Sequence, residues 1–345
     1  MTAVNVGEML DALVEHSGSD LLLQAGAEPV LRVDGVLVRL KHPALTPQET
    51  RAIVSELLPP GRIEVLDERR QLDFIVAGKE GVRFRANAFY QRDTISLAVR
   101  LLPSIIPSFI DLGMPGVVHD LIELPRGLVL VTGPTGAGKS TTLGAMIGAI
   151  NQARACHIIT IEDPIEYVHK NIRALIDQRE VGRDALSFEA ALHSIFREDP
   201  DVVLIGEMRD QETIASALTI AETGHLVFAT LHTNDSSQAI DRIVDVFPGE
   251  RQQQIRVQLA GTLAGIIYQQ LLPAQSGGRV AAFEILLASN AVRNLIKENK
   301  SNQIRNILST SVREGMQTLE RSLSQLYADK LVTLEEAKAR SLFPD

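Results

Sequence analysis

Gly127-Leu128-Val129-Leu130-Val131-Thr132-Gly133-Pro134-Thr135-Gly136-Ala137-Gly138-Lys139-Ser140-Thr141 is the stretch that decides the fold. An apolar run passes into a glycine-rich turn, and Leu143, Met146 and Ile147 follow at helical spacing. Gly133 to Ser140 fits the pattern G-x-x-x-x-G-K-S/T, and strand before with helix after is the context that pattern requires. Glycines let successive backbone N–H groups turn toward one point, and the helix N-terminus adds partial positive charge there. Lys139 suits β and γ phosphate oxygens, and the Ser140 hydroxyl suits Mg²⁺. Residues Gly133, Pro134, Thr135, Gly136, Ala137, Gly138, Lys139, Ser140 and Thr141 are therefore expected to cradle a nucleoside triphosphate.

Downstream the same grammar repeats. His157-Ile158-Ile159-Thr160-Ile161, Val202-Val203-Leu204-Ile205 and Leu226-Val227-Phe228-Ala229 are short apolar runs separated by longer helical patterns. Continuous apolar strands alternating with helices predict a mainly parallel sheet covered on both faces. From about Asn290 the chain reads helical, with Thr333-Leu334-Glu335-Glu336 as a capping box. Upstream lies a different segment. A helical start leads to Leu31-Arg32-Val33, an Asp34-Gly35 turn and Val36 to Leu40, a hairpin signal. Thr46-Pro47-Gln48-Glu49 then opens a helix that Pro59-Pro60-Gly61 stops, and strands follow around 73–76 and 82–100. Pro103 and Pro107 mark a linker. The expected division is an α/β domain over residues 1–102, a linker over 103–118 and a P-loop domain with C-terminal helices over 119–345.

In a parallel sheet, residues just past the strands share one edge, so acids there face the phosphates. Glu207 follows Val202 to Ile205 and is expected to serve Mg²⁺, directly or through water; the other reading is a cap for the helix beginning at Asp210-Gln211-Glu212-Thr213. Glu162, Asp163 and Glu166 follow the His157 strand, and one carboxylate suffices to orient an attacking water. Glu166 is taken first and Glu162 second; the residues alone do not choose. His225 and His232 flank another strand and are candidate phosphate sensors, although a lone histidine more often packs or faces solvent. Arg83 and Arg85 share one face of a strand, with Arg100 beyond. They are either a solvated basic face or guanidinium groups for transition-state charge.

Composition narrows the class. The formal net charge is −9, aromatic residues make up 4% and tryptophan is absent, which weighs against a nucleic-acid motor. The single cysteine, Cys156, leaves no disulfide and no multi-cysteine zinc site, and a buried thiol is expected. No run reaches the length of a membrane span, and 1–19 carries acids where a signal peptide carries bases, so a cytoplasmic chain is expected.

With these residues in hand, the chain resembles the secretion and pilus motor ATPases over nearly its whole length. The text that carries the likeness is Ser19-Asp20-Leu21, Val33-Asp34-Gly35, the P-loop, the acidic box Ile161 to Glu166, Gly206-Glu207-Met208-Arg209-Asp210, and the histidine box from Glu222-Thr223-Gly224-His225 to Thr230-Leu231-His232-Thr233. The resemblance implies a PAS-like N-terminal domain, a RecA-like ATPase domain and a homohexamer using ATP and Mg²⁺. It also implies Glu166 as base and first-domain arginines as nucleotide contacts. Extension and secretion members usually carry a larger N-terminal extension and a four-cysteine zinc element; neither is present, so no zinc is expected. Ala291-Val292-Arg293-Asn294-Leu295-Ile296 resembles the AIRNLI segment of retraction members, with valine for isoleucine. A pilus-retraction motor is thus implied, acting on an inner-membrane platform protein and recruited to the membrane's inner face at the pilus base, with indirect membrane association and no nucleic-acid partner. An accessory retraction ATPase, or an extension or type II secretion ATPase, is the alternative.

Overall fold

The computed structural model describes residues 5–33 and 35–342. Two compact units divide the chain, Met1–Ile105 and Ile106–Asp345.

In the first unit, α1 (Val6–Glu15) precedes β1 (Asp20–Leu23), β2 (Val30–Val33) and β3 (Val36–Arg39); α2 (Pro47–Leu57), α3 (Arg62–Arg69), β4 (Gln71–Ala77), β5 (Arg83–Gln91) and β6 (Thr94–Leu102) follow. The strands make one antiparallel sheet in the order β3-β2-β1-β6-β5-β4. This is the PAS-like α/β layer that the resemblance implies. Strand alternation sends Phe84, Ala86 and Ala88 into a core with Leu13, Ile53, Val54 and Leu66 of the helices. The Thr46 capping box forms on both sides: Glu49 N–H donates to Thr46 Oγ1 at 3.2 Å, and Thr46 N–H to Glu49 Oε2 at 2.7 Å. In the expected β2–β3 hairpin, Val33 pairs with Val36 and Gly35 has φ 81°; Asp34 lies outside the described residues. Arg92 and Asp93, with φ 46° and 59°, turn β5 into β6, the sign that both central positions of a two-residue hairpin need.

The second unit begins with α4 (Val117–Glu123), β7 (Gly127–Thr132), α5 (Lys139–Ala153), β8 (His157–Glu162), β9 (Leu175–Glu180), α6 (Phe188–Ser194), β10 (Val202–Ile205) and α7 (Gln211–Glu222). It continues through β11 (Leu226–Leu231), α8 (Ser236–Asp245), α9 (Gly249–Thr262), β12 (Leu263–Pro273) and β13 (Arg279–Leu287) to α10 (Asn290–Lys297), α11 (Ile304–Thr310), α12 (Leu319–Ala328) and α13 (Leu334–Arg340). The sheet order is β13-β12-β7-β11-β10-β8-β9, parallel throughout except for the β12–β13 hairpin at one edge. Leu128 and Leu130 of β7 pack toward α6 to α9, while Val129 and Val131 pack toward α4 and α5. Burial on both faces explains the unbroken apolar text of this strand. This is the expected RecA-like sheet with a helical C-terminal part.

Three strands lie beyond the four read from the sequence: β9, β12 and β13. Strand β12 joins β7 with one irregularity, since Leu263 pairs with Leu128 and Gly265 with the next residue, Val129, leaving Ala264 as the extra residue of a bulge. Past the bulge, Ile267 and Gln269 face the α5 side, whereas Tyr268 and Leu272 enter a separate cluster with Leu319, Leu323 and Val332. Cys156 is half-buried rather than enclosed, and burial pushes its thiol up. Among the described residues no helix is long and apolar enough to cross a membrane.

Candidate active site

Parallel pairing puts the carboxyl ends of β7, β8, β10, β11 and β12 on one edge, and the chemistry-bearing side chains collect there. The loop after β7 runs through Gly133, Gly136 and Gly138 with φ 143°, 79° and 86°, left-handed values that favour glycine. Lys139, at the first turn of α5, is buried and donates to the carbonyls of Gly133 at 2.9 Å and Pro134 at 3.1 Å. Burial lowers its pKa; Glu207 and Glu166 pull it back up.

A third contact of the Lys139 ammonium is His232 Nδ1 at 3.3 Å. An ammonium only donates, so Nδ1 accepts and the ring proton sits on Nε2. That nitrogen lies 3.2 Å from Glu207 Oε1. Lysine, neutral histidine and carboxylate form a chain of matched donors and acceptors from the phosphate loop to the end of β10. Burial, then the Lys139 charge, keeps the imidazole pKa low, which favours the neutral ring. Burial pushes Glu207 up, but the 2.7 Å bond from Arg209 and the charges of Arg209 and Lys139 outweigh it and hold the carboxylate below its usual range. Capping of α7 falls to Asp210, whose side chain accepts from Thr213 N–H at 2.8 Å, so Glu207 is not spent on the helix. A cavity of about 360 Å³ beside the pair is lined by Glu207, Arg209, His232, Asn234, Gln238 and Arg242, among others.

The acidic loop after β8 is tied to α5 by residues that sequence reasoning passed over. Tyr167 OH lies 3.0 Å from Thr141 Oγ1, and its ring rests on Gly144, where a Cβ would come within 3.2 Å. Gln178 of β9 donates to Tyr167 O at 2.8 Å and Glu162 Oε1 at 3.1 Å, and accepts from His169 N–H at 2.8 Å. Glu162 also accepts from Thr160 Oγ1 at 2.6 Å, and burial pushes its carboxyl up. Glu166 sits on this anchored loop within electrostatic reach of Lys139 and Glu162; Asp163 is exposed beside it. A lone tyrosine after the acidic box, and a glutamine in a polar edge strand, carry no motif that could flag them.

His225 lies away from the phosphate edge where its sequence position suggests it. It precedes β11 and therefore sits at the amino edge, opposite the phosphate loop, where its carbonyl accepts from Gly127 N–H and its Nδ1 lies 3.0 Å from Ile220 O. Six strand residues at about 3.3 Å each separate it from His232 by roughly 20 Å, so it does not join its own chain's phosphate edge. The arginines line one outward face of the first unit's sheet: Arg85 pairs across β5–β6 with Arg100, which donates to Asp20 at 2.9 Å, and Arg83 stands two residues from Arg85 on β5.

A neighbour of the acidic loop predicts a pH response. Burial pushes His169 down to about 4. An unfolded histidine titrates near about 6.5, so between those values the unfolded chain takes up a proton that the folded one refuses. Stability is then full above about 6.5 and is lost as pH falls toward about 4. We expect the unfolding midpoint of the wild type to drop more between about pH 7.5 and about pH 5 than that of His169→Gln; equal drops would exclude this histidine as the cause.

Fold and site together define a P-loop ATPase of RecA-like architecture. The profile of the type II/IV secretion system protein family matches residues 6–339. The type IV pilus retraction ATPase PilT of Pseudomonas aeruginosa is 44% identical over 342 residues, 99% of each chain. The type IV pilus ATPase PilU of the same organism is 39% identical over 335 residues, 97% of this chain and 88% of PilU. A crystal structure of the pilus retraction motor PilT with bound ADP superposes with a TM-score of 0.92 at 47% identity, covering 99% of this chain and 98% of that one. The chain belongs to the type II/IV secretion system protein family.

Proposed function

We propose that this chain is the motor ATPase that powers type IV pilus retraction, working as a ring of six copies that turns ATP hydrolysis into withdrawal of pilin from the pilus base. The observation that carries the reading is end-to-end similarity to PilT, 99% of each chain, combined with an intact Lys139–His232–Glu207 chain. In this reading Gly133 to Thr141 bind the phosphates and Lys139 neutralises the β and γ oxygens. His232, hydrogen-bonded to Lys139 through Nδ1 and facing Glu207 through Nε2, senses the γ-phosphate. Glu166 orients the attacking water, a role supported by the Tyr167 anchor of its loop and by the prior commitment of Glu162 to Thr160 and Gln178.

Oxygen donors suit a hard divalent cation, and a carboxylate held ionised fits that chemistry. Ser140, with Glu207 through water, would hold Mg²⁺, which would supply charge neutralisation at the phosphates. Arg83, Arg85 and Arg100 are the guanidinium candidates for transition-state charge. The working place is the cytoplasmic face of the inner membrane at the pilus base, against a platform protein that makes membrane association indirect.

The test is Lys139→Ala placed in the chromosome of the native host, with surface pili counted by microscopy at normal protein levels. Abundant pili that never retract are expected. Bald cells would instead make this an assembly motor, and an unchanged count would favour an accessory role, a reading that the similarity to PilU keeps in view.

A further inference from the structure

The phosphate loop is held from a strand that no motif reading touched. Gln269 lies in the middle of β12 and is buried, at 1% exposure. A buried amide is costly unless both ends are satisfied, and both are. Its Nε2 donates to the Ala137 carbonyl at 2.5 Å, and its Oε1 accepts from Thr142 Oγ1 at 2.7 Å. The carbonyl can only accept, so the nitrogen must face it; this fixes the amide's orientation. The strand also touches the loop's outer glycines. A Cβ on Gly133 would meet the Gln269 main-chain oxygen at 2.3 Å, and one on Gly138 would meet Nε2 at 3.2 Å.

We infer that Gln269 is a positioning residue for nucleotide binding, acting through the Ala137–Gly138 peptide. A trans peptide is planar, with its C=O and N–H pointing in opposite directions. Holding the Ala137 carbonyl toward β12 therefore turns the Gly138 N–H away from β12, toward the concave side where a P-loop gathers its donors. Lysine and serine in this motif act through side chains, but the glycine N–H has no side chain to steer it. Gln269 supplies that steering from outside the loop, and Thr142, on the first turn of α5, holds Gln269 in place. Phosphate donors of this kind act on bound nucleotide as well as on the transition state, so their loss weakens binding more than turnover.

The inference rests on the reading of Gly133 to Thr141 as the nucleotide site, so Lys139→Ala accompanies the test. ADP affinity of the full chain is measured by calorimetry, alongside steady-state Mg-ATP turnover and the unfolding midpoint. Gln269→Leu and Gln269→Glu are expected to weaken ADP binding and raise KM by about tenfold or more, with kcat changing less. Thr142→Ala should weaken ADP binding several-fold, and Thr142→Ser, which keeps the hydroxyl, should restore it. A folded Gln269→Leu protein that binds ADP as the wild type does overturns the inference. If neither Gln269 variant folds, the threonine pair decides: equal affinity of Thr142→Ala and Thr142→Ser overturns it. ADP affinity unchanged in Lys139→Ala would instead sink the nucleotide-site reading itself.

Discussion

Glu166→Gln is expected to lower Mg-ATP turnover by about 10²- to 10⁴-fold, the range over which a positioned acid–base group contributes, while ADP affinity stays close to wild type. The substitution is nearly isosteric and removes only the capacity to take a proton. Its loop keeps the anchors, Tyr167 on Thr141 and Gln178 on Tyr167 O, so geometry is conserved while chemistry is lost. Glu162→Gln is the matched control. Its carboxyl already accepts from Thr160 and Gln178, and burial pushes it toward the neutral form, so an amide there should cost much less. Normal turnover in Glu166→Gln together with collapse in Glu162→Gln would transfer the role to Glu162.

Gly133→Ala should abolish measurable nucleotide binding and lower the unfolding midpoint by several degrees. The residue sits at φ 143°, where a side chain is strained by about 1–3 kcal/mol before any contact is counted. The added methyl would also lie 2.3 Å from a backbone oxygen of β12, and no rotamer can move it away. Relief requires either the loop or β12 to shift, and each carries Gln269's bonds. Gly136→Ala isolates the first cost: its φ is 79°, but nothing lies within 4 Å of the new Cβ. Binding by titration and unfolding by calorimetry on the two variants compare strain alone with strain plus collision. A milder effect at Gly133 than at Gly136 would mean that the loop yields and β12 does not constrain it.

What the sequence made legible, and what it hid, divides along physical lines. Strands β7, β8, β10 and β11 are buried on both faces, so their text is continuous and apolar and reads directly. The carboxylate and histidine positions follow, because parallel pairing sends everything after a strand to one edge. Strand β9 is polar along one edge of the sheet, and β12 carries Gln269 and Gln270 inside an apolar run, so neither has a clean period. Gln178 and Glu180 of β9 are satisfied by the acidic loop, and Gln269 of β12 by Ala137 of the phosphate loop, 132 residues away. Single-sequence periodicity cannot register a satisfied buried amide at that separation. His225 shows the opposite failure: proximity in the text suggested proximity in space, but one intervening strand carries its neighbour across the whole sheet.

The bulge at Ala264 has a consequence for how this half of the molecule tolerates insertions and deletions. Residues paired across parallel strands face the same side, and Leu263 and Gly265, two apart in the chain, pair with the adjacent Leu128 and Val129. Removing Ala264 while keeping the β7 pairing would therefore close the bulge and leave every side chain from Gly265 onward on its present face. Removing Ile267 with the preceding pairing kept would instead move Gln269 into the place of Tyr268, against the apolar cluster of Leu319, Leu323 and Val332, and set Gln270 at the phosphate loop. A single-codon deletion is thus absorbed at Ala264 but disables the loop and the C-terminal helices in one step when it falls just past the bulge.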